Sequence, residues 1–87
     1  MKTIKIEAVP NQRFSFMMNN QRYEVTLNSR NGKTYLSYQV DKIPVLINRI
    51  CLDRVPIDDL FMFKDTQGDE NPYYVGFNQQ FKLRLLI

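Results

Sequence analysis

Histidine and tryptophan are absent from this 87-residue sequence, and cysteine occurs once, at Cys51. Without histidine the chain lacks the commonest general base at neutral pH, and with it the Ser-His and Cys-His pairs of nucleophilic enzymes. A single cysteine can form no disulfide within the chain, and a cysteine-based zinc site needs about four such ligands. The three glycines stand far apart, so they form no glycine-rich phosphate loop. We therefore expect a protein that is not an enzyme and that uses neither a cofactor nor a metal.

Long hydrophobic runs are also missing, since no segment approaches the roughly 20 apolar residues of a membrane span. The segment Met1–Ala8 carries lysines but no extended apolar stretch, so we do not expect a signal peptide. One free thiol is typical of a protein kept in a reducing cytoplasm. Residues 1–87 are enough for a single small domain, which buries only about two-thirds of its unfolded surface. We expect a subunit interface to supply further stability.

Apolar and polar residues alternate along most of the chain, which predicts antiparallel strands with one buried and one solvated face. The clearest cases are Tyr23–Leu27, Leu36–Val40 and Phe81–Ile87. The predicted strands are residues 3–8, 13–18, 21–28, 33–40, 43–51, 60–65 and 79–86, with a candidate short strand at 73–76. The region 53–60 is a candidate for one helical turn.

Turn-forming pairs separate these segments at Asn19-Asn20, Asn31-Gly32, Asp41-Lys42 and Gln67-Gly68. Asn-Gly is a strong hairpin signal because both central residues of a type I′ turn need positive φ. Short strands with turns every 8–12 residues or so are typical of sandwiches and small barrels. The sequence therefore predicts an all-β fold, a small single-domain antiparallel β-sandwich or barrel of about seven strands.

Two of the predicted strands, around Ile43–Ile47 and Leu60–Phe63, are apolar on both faces. Such a strand is either central and covered on both sides or turned toward a partner.

The charges are unevenly distributed along the chain. Residues 1–52 carry eight basic and three acidic side chains, whereas residues 53–70 carry six acidic and two basic ones. The acidic segment is either a solvated loop region with turn-forming aspartates or an edge that docks on a basic neighbour.

Nucleic-acid binding is an alternative, because the pI is about 9.2 and aromatic residues are plentiful. Small barrels of the oligonucleotide-binding type combine aromatic platforms with a basic groove. However, Phe14, Phe16 and Tyr23 fall on the periodic apolar faces, where core packing explains them first.

Asp65–Asn71 is rich in oxygen ligands but lacks the pattern of a calcium loop, so we interpret it as a polar turn. Cys51 is expected to be a buried, inert thiol.

Two motifs carry a resemblance to a known family. The first is the tract Ala8-Val9-Pro10-Asn11-Gln12 between two strands, and the second is the strand Gln21-Arg22-Tyr23-Glu24-Val25-Thr26-Leu27. Both resemble the small baseplate plug proteins of contractile-tailed bacteriophages, and the similarity extends over most of the chain. The resemblance implies a structural subunit near the central hub, where the tail tube meets the spike, that helps to close or organise the channel. It also implies a location in the virion baseplate after synthesis in the host bacterial cytoplasm.

The partners implied by the resemblance are other baseplate, hub and tail-tube proteins together with further copies of the chain. A membrane is not expected among them, and nucleic acid is not favoured. A small regulatory module that adds a strand to a host protein is a further alternative. The candidate interface residues fall into an apolar face, an aromatic-proline corner and an acidic edge. They are Ile43, Val45 and Ile47; Pro72, Tyr73 and Tyr74; and Asp58, Asp59, Asp69 and Glu70.

Overall fold

A computed structural model describes residues 2–86 and shows seven strands with one turn of 3₁₀ helix at Tyr74–Gly76. The strands are β1 (Lys2–Ile4), β2 (Asn11–Met18), β3 (Gln21–Arg30), β4 (Lys33–Val40), β5 (Ile43–Ile50), β6 (Phe61–Asp65) and β7 (Phe81–Leu85). No helix within these residues is long and apolar enough to cross a membrane.

The strands form two antiparallel sheets that face each other. The middle of the chain builds a four-stranded meander in the order β2-β3-β4-β5, whereas the two ends combine in a three-stranded sheet in the order β1-β7-β6. The sheets do not close into a barrel. The predicted all-β class is therefore confirmed, and of the two predicted architectures the molecule adopts the sandwich.

Three tight turns connect the meander, and each lies where the sequence predicted one. Both central residues have positive φ in every case: Asn19 and Asn20, Asn31 and Gly32, and Asp41 and Lys42. This is the conformation of type I′ turns, whose twist matches that of the flanking strands. Asparagine, aspartate and glycine tolerate it best, which is why these sequence signals predicted the hairpins correctly.

The core lies between the sheets and is built from the inward-facing residue of each alternating pair. From the meander, Val25, Leu27 and Leu36 are at most 1% exposed. They meet Phe61 and Leu83 of the other sheet, which are fully buried. Aromatic rings join the layers, since the Phe61 ring lies edge-on to Tyr38 at 5.3 Å between centroids. The remaining core side chains are Ile6, Tyr38, Cys51, Ile57, Phe63, Phe77, Phe81 and Leu85.

Strand β1 is shorter than the predicted strand 3–8. It ends at Ile4 because the chain then leaves the three-stranded sheet and inserts Ile6 into the core, where it is 3% exposed. The Ile6 backbone N–H donates to the Asn78 side chain at 3.1 Å instead of to a neighbouring strand. The candidate short strand at 73–76 is wrong, because Tyr74–Gly76 forms the 3₁₀ turn.

Residues 53–60 form turns rather than the candidate helical turn. Ile57 is 1% exposed and anchors the segment in the core, and its N–H donates to the Phe61 carbonyl at 2.7 Å. Between these two residues the chain reverses through Asp58 and Asp59, which both have φ of 53°. The carboxylate-bearing pair thus occupies the tip of a tight turn that leads into β6.

Candidate protein-interaction surface

The edge strand β5 carries three exposed apolar side chains, here called the β5 row: Ile43, Val45 and Ile47. They are 68%, 50% and 70% exposed. Leu46 points the other way and packs against the core. Of the two sequence interpretations of this apolar strand, a covered central position is excluded, because β5 is the last strand of its sheet and pairs with β4 alone. The three side chains of the β5 row are therefore open to solvent within the described chain.

The three side chains do not form one regular face of β5, because Ile43 lies opposite Val40, which packs against the core. The pairing of β4 with β5 shifts register twice, so the strand is irregular and its alternation is broken. Asn48 takes a positive φ of 54°, and its N–H donates to the Ser37 hydroxyl at 2.8 Å. Pro44 faces Gln39 at a position where the missing N–H would point away from β4. An edge of this kind is poorly suited to accept another strand, so β5 offers exposed side chains rather than a backbone edge for contact.

The acidic candidates occupy two places rather than one. Asp58 and Asp59 precede β6, whereas Asp69 and Glu70 follow it in the loop toward Tyr74. Strand β6 lies between the two pairs in the chain, and its five residues span about 14 Å at roughly 3.4 Å per residue. Asp58 is also engaged within the fold, since the Tyr38 hydroxyl donates to its Oδ2 at 2.9 Å.

At the aromatic-proline corner, two tyrosines lie at the surface and the proline does not. Pro72 is buried, and its carbonyl accepts a hydrogen bond of 2.9 Å from the Thr34 hydroxyl. Tyr73 and Tyr74 are half-buried, with ring centroids 4.7 Å apart. Burial and the adjacent Tyr74 raise the pKa of Tyr73. Only the tyrosine rings can contribute contact surface at this corner.

The Asp65 carboxylate organises the oxygen-rich loop that follows β6. It accepts hydrogen bonds from the Gln67 N–H at 2.8 Å, the Glu70 N–H at 2.9 Å and the Gln80 side chain at 3.1 Å. Burial raises the pKa of this carboxyl, but the hydrogen bonds outweigh it and hold the pKa below its usual 3.8. Among the described residues no group of three acidic or thiol ligands is arranged for a metal ion. Residues 66–69 form bends whose backbone is held by the hydrogen bonds to Asp65.

Two further reactive groups are enclosed by the fold. Cys51 is 2% exposed, as expected, and burial raises the pKa of its thiol to about 12. Burial together with the hydrogen bond to Asp58 raises the pKa of Tyr38 to about 12. Both side chains are therefore neutral at physiological pH, where a nucleophile would need to ionise.

The aromatic residues behind the nucleic-acid alternative serve packing. Phe14, Phe16 and Tyr23 all pack against the core, and the rings of Phe16 and Tyr23 stack at 5.2 Å across β2 and β3. Tyr35, on the outer face of β4, lies 5.8 Å from the Arg30 guanidinium. A platform of parallel, solvent-facing rings beside a basic groove is not formed by these residues.

No residue of β1 or β2 is among the interface residues predicted from the sequence, yet these two strands border an open apolar groove. The groove has a volume of about 530 Å³ and includes Ile4, Phe14, Phe16 and Met18 in its walls. Alternation in β2 marked Phe14 and Phe16 as core residues, and only the shortness of β1 leaves them partly uncovered. No signal within the sequence shows that shortness.

These features define a small all-β sandwich whose surface is suited to protein contacts. Over residues 1–86 the chain matches the family model described as Cyanophage baseplate Pam3 plug gp18, and it belongs to that family. It is thus a phage baseplate plug structural protein, which implies a location in the virion baseplate and a role that is not enzymatic. The resemblance seen in the sequence is confirmed. No curated protein matches the chain.

Proposed function

We propose that this protein is a structural subunit of a contractile phage tail baseplate, placed near the central hub and tail tube, and that it helps to plug or organise the channel. Membership of the baseplate plug family supports the setting. The uncovered β5 row is the observation that carries the proposal, because a small domain that leaves three large aliphatic side chains in solvent gains stability when a neighbour covers them.

The magnitude is sufficient for docking within an assembly. Full burial of one such side chain contributes about 1.5–3 kcal/mol, and each member of the β5 row still has half or more of its surface exposed. Covering the whole row therefore contributes roughly 3–5 kcal/mol before the costs of association. A contact of that size is weak for an isolated pair but adequate where several contacts form together.

The partners under this proposal are hub and tail-tube subunits, together with other copies of the chain. The β5 row supplies the apolar contact. The tyrosines of the aromatic-proline corner and the two acidic pairs border other parts of the surface, where complementary charge fixes orientation more than affinity. The mechanism is passive: the subunit holds its neighbours in place until a conformational signal separates them.

Co-assembly with hub and tube subunits tests the proposal. The double variant Ile43→Thr/Ile47→Thr retains β-branched side chains on an edge strand, so we expect it to fold while losing most of its apolar contact. Size-exclusion chromatography with light scattering, on the chain alone and mixed with the hub and tube proteins of the same phage, measures incorporation. Val9→Thr is the matched control, because Val9 is 36% exposed in the loop before β2, away from β5.

We expect the double variant to stay out of the complex while Val9→Thr enters it like the unmodified chain. Normal incorporation of a folded double variant would refute the role of the β5 row. Failure of the unmodified chain to join either the hub or the tube protein would refute the proposed position in the baseplate.

A further inference from the structure

The two sheets leave the sandwich open along one side, where the edge strands β1 and β2 approach each other. The groove at this opening is lined by Lys2, Thr3, Ile4, Lys5, Phe14, Ser15, Phe16, Met17, Met18 and Leu85. Strand β1 covers only three residues, whereas β2 spans eight. The inner face of β2 is therefore longer than the strand that should cover it.

The consequence is visible in the burial of paired residues. Phe14 lies opposite Val25 in the β2–β3 ladder, and Val25 is fully buried while Phe14 is only half-buried. Phe16 and Met18 are likewise half-buried, although all three point toward the core side. Large apolar side chains that face a core but remain partly exposed to solvent lack a packing partner on their open side.

The free edge of β2 is regular and can accept hydrogen bonds from another strand. Because a two-residue turn joins β2 to β3, Met18 and Gln21 form a hydrogen-bonded pair. Hydrogen-bonded pairs recur at every second residue of an antiparallel ladder, so the backbone groups of Phe16 and Phe14 also bond to β3. The intervening residues Arg13, Ser15 and Met17 therefore direct their backbone N–H and C=O groups away from the sheet.

The two edges of the four-stranded sheet thus differ in kind. Strand β5 is interrupted by Pro44, two register shifts and a left-handed Asn48. Strand β2 pairs through eight consecutive residues without a shift or a proline. A regular edge with a row of unpaired backbone groups is the usual template for an added strand.

Charge indicates what kind of strand fits. Among residues 2–86, Lys2 and Lys5 are the only ones with charged side chains that line the groove, and both are exposed. Neither ammonium forms an ion pair with another described residue. In a second copy, the edge strands β1, β2 and β5 carry basic residues and no acidic one, and the single acidic residue of the fourth edge strand, Asp65 of β6, is buried and hydrogen-bonded within its own loop. Pairing of two copies through these edges would therefore bring like charges together.

We propose that an extended acidic segment of another baseplate subunit adds to the free edge of β2. Apolar side chains at alternate positions fill the groove over Phe14, Phe16 and Met18. Carboxylates at the rim meet Lys2 and Lys5, and those on the outer face meet Arg13. The inference rests on the proposed role as a docking subunit but concerns a different surface from the β5 row.

A synthetic peptide on the intact protein tests this inference. The probe is a nine-residue peptide in which valine and phenylalanine alternate with glutamate and threonine, and its control carries lysine in place of each glutamate. Fluorescence polarisation gives the affinity, and amide hydrogen exchange reports the edge. We expect the acidic peptide to bind about tenfold more tightly than the lysine peptide. We also expect it to slow exchange at Arg13, Ser15 and Met17.

Two variants separate the contribution of the β2 backbone edge to peptide affinity from the contribution of the lysine charges. Ser15→Pro removes one outward N–H without touching the β2–β3 ladder, and we expect at least about tenfold weaker binding. Lys5→Glu should weaken the acidic peptide about fivefold and strengthen the lysine peptide. Lys33→Glu makes the same charge change at the exposed start of β4, outside the groove, and should leave both affinities unchanged. If circular dichroism shows Ser15→Pro unfolded, the Lys5→Glu comparison decides.

Equal affinity for the two peptides, no binding of either, or protection confined to β5 would overturn the inference. Protection of the β2 amides without peptide, accompanied by dimerisation, would show that a second copy occupies the groove and would also overturn it. The Ile43→Thr/Ile47→Thr variant should still bind the acidic peptide. A chain that binds no peptide yet joins the hub complex would refute this inference alone, and a chain that binds the acidic peptide yet joins neither the hub nor the tube protein would refute the proposed position in the baseplate.

Discussion

Replacement of Phe61 by leucine should weaken the sandwich more than its small change in size suggests. Phe61 is fully buried at the start of β6, and its ring lies edge-on to two rings of the opposite sheet. The centroid distances are 5.3 Å to Tyr38, at 70°, and 6.3 Å to Phe16, at 79°. These contacts connect the two layers directly.

The loss of apolar volume costs about 1 kcal/mol. Each edge-to-face pair adds about 0.5–1.5 kcal/mol. The free energy of unfolding should therefore fall by about 2–4 kcal/mol. That is a large fraction of the roughly 4–13 kcal/mol expected for a domain of this size. Urea denaturation followed by circular dichroism measures the change. The slope of the unfolding free energy against urea concentration should be the same for both proteins, which shows that they expose the same amount of surface on unfolding.

A double-mutant cycle with Phe16→Leu isolates the ring contact, and we expect a coupling of about 0.5–1.5 kcal/mol. Met62→Leu is the control, because Met62 is the next residue on β6 but lies half-exposed on the opposite face. It should change stability by no more than about 0.5 kcal/mol. A loss below about 1 kcal/mol for Phe61→Leu, or a coupling near zero, would refute the idea that these rings hold the sheets together.

Two further predictions concern titratable groups. The lowered pKa of Asp65 stabilises the fold at pH values above about 3.8, and this contribution is lost as the pH falls through the folded-state pKa below that value. The difference in unfolding free energy between the unmodified chain and Asp65→Asn should therefore be largest above pH 4 and shrink in more acidic buffer, and a constant difference would contradict this role. The Cys51 thiol, with a pKa near 12 and almost no exposure, should react with a thiol reagent at pH 8 only after unfolding. Mass spectrometry of the native and the urea-unfolded protein measures how much of the Cys51 thiol has reacted. Rapid modification of Cys51 in the native chain would disprove the prediction.

The meander was predictable because its determinants are local. Alternation identified the inward residues of β3 and β4, and the pairs Asn31-Gly32 and Asp41-Lys42 marked the reversals. The remaining sheet was harder, since β1 and β7 pair across nearly the whole chain. No local pattern indicates that the strand stops at Ile4 so that Ile6 can enter the core.

The positions of the candidate surface residues were only partly predictable. The apolar run that contains Ile43, Val45 and Ile47 fits both a covered central strand and an exposed one, and only the strand order shows that β5 is at an edge. The burial of Pro72 depends on the distant Thr34, whose hydroxyl donates to its carbonyl. The turn at 74–76 packs closely on a residue five positions further along the chain, since a Cβ on Gly76 would lie 2.8 Å from the Phe81 ring. The alternation pattern used to predict strands does not indicate this packing.

The union of β1 with β7 also sets an order of folding. Lys2 lies opposite Leu85, so this ladder forms only when the last strand has left the ribosome. The three hairpins of the meander need no such wait, since their contacts span short loops and form quickly. During synthesis the meander would therefore hold Val25, Leu27 and Leu36 uncovered until β6 and β7 arrive, an interval in which a chaperone or an early neighbour can engage the nascent chain.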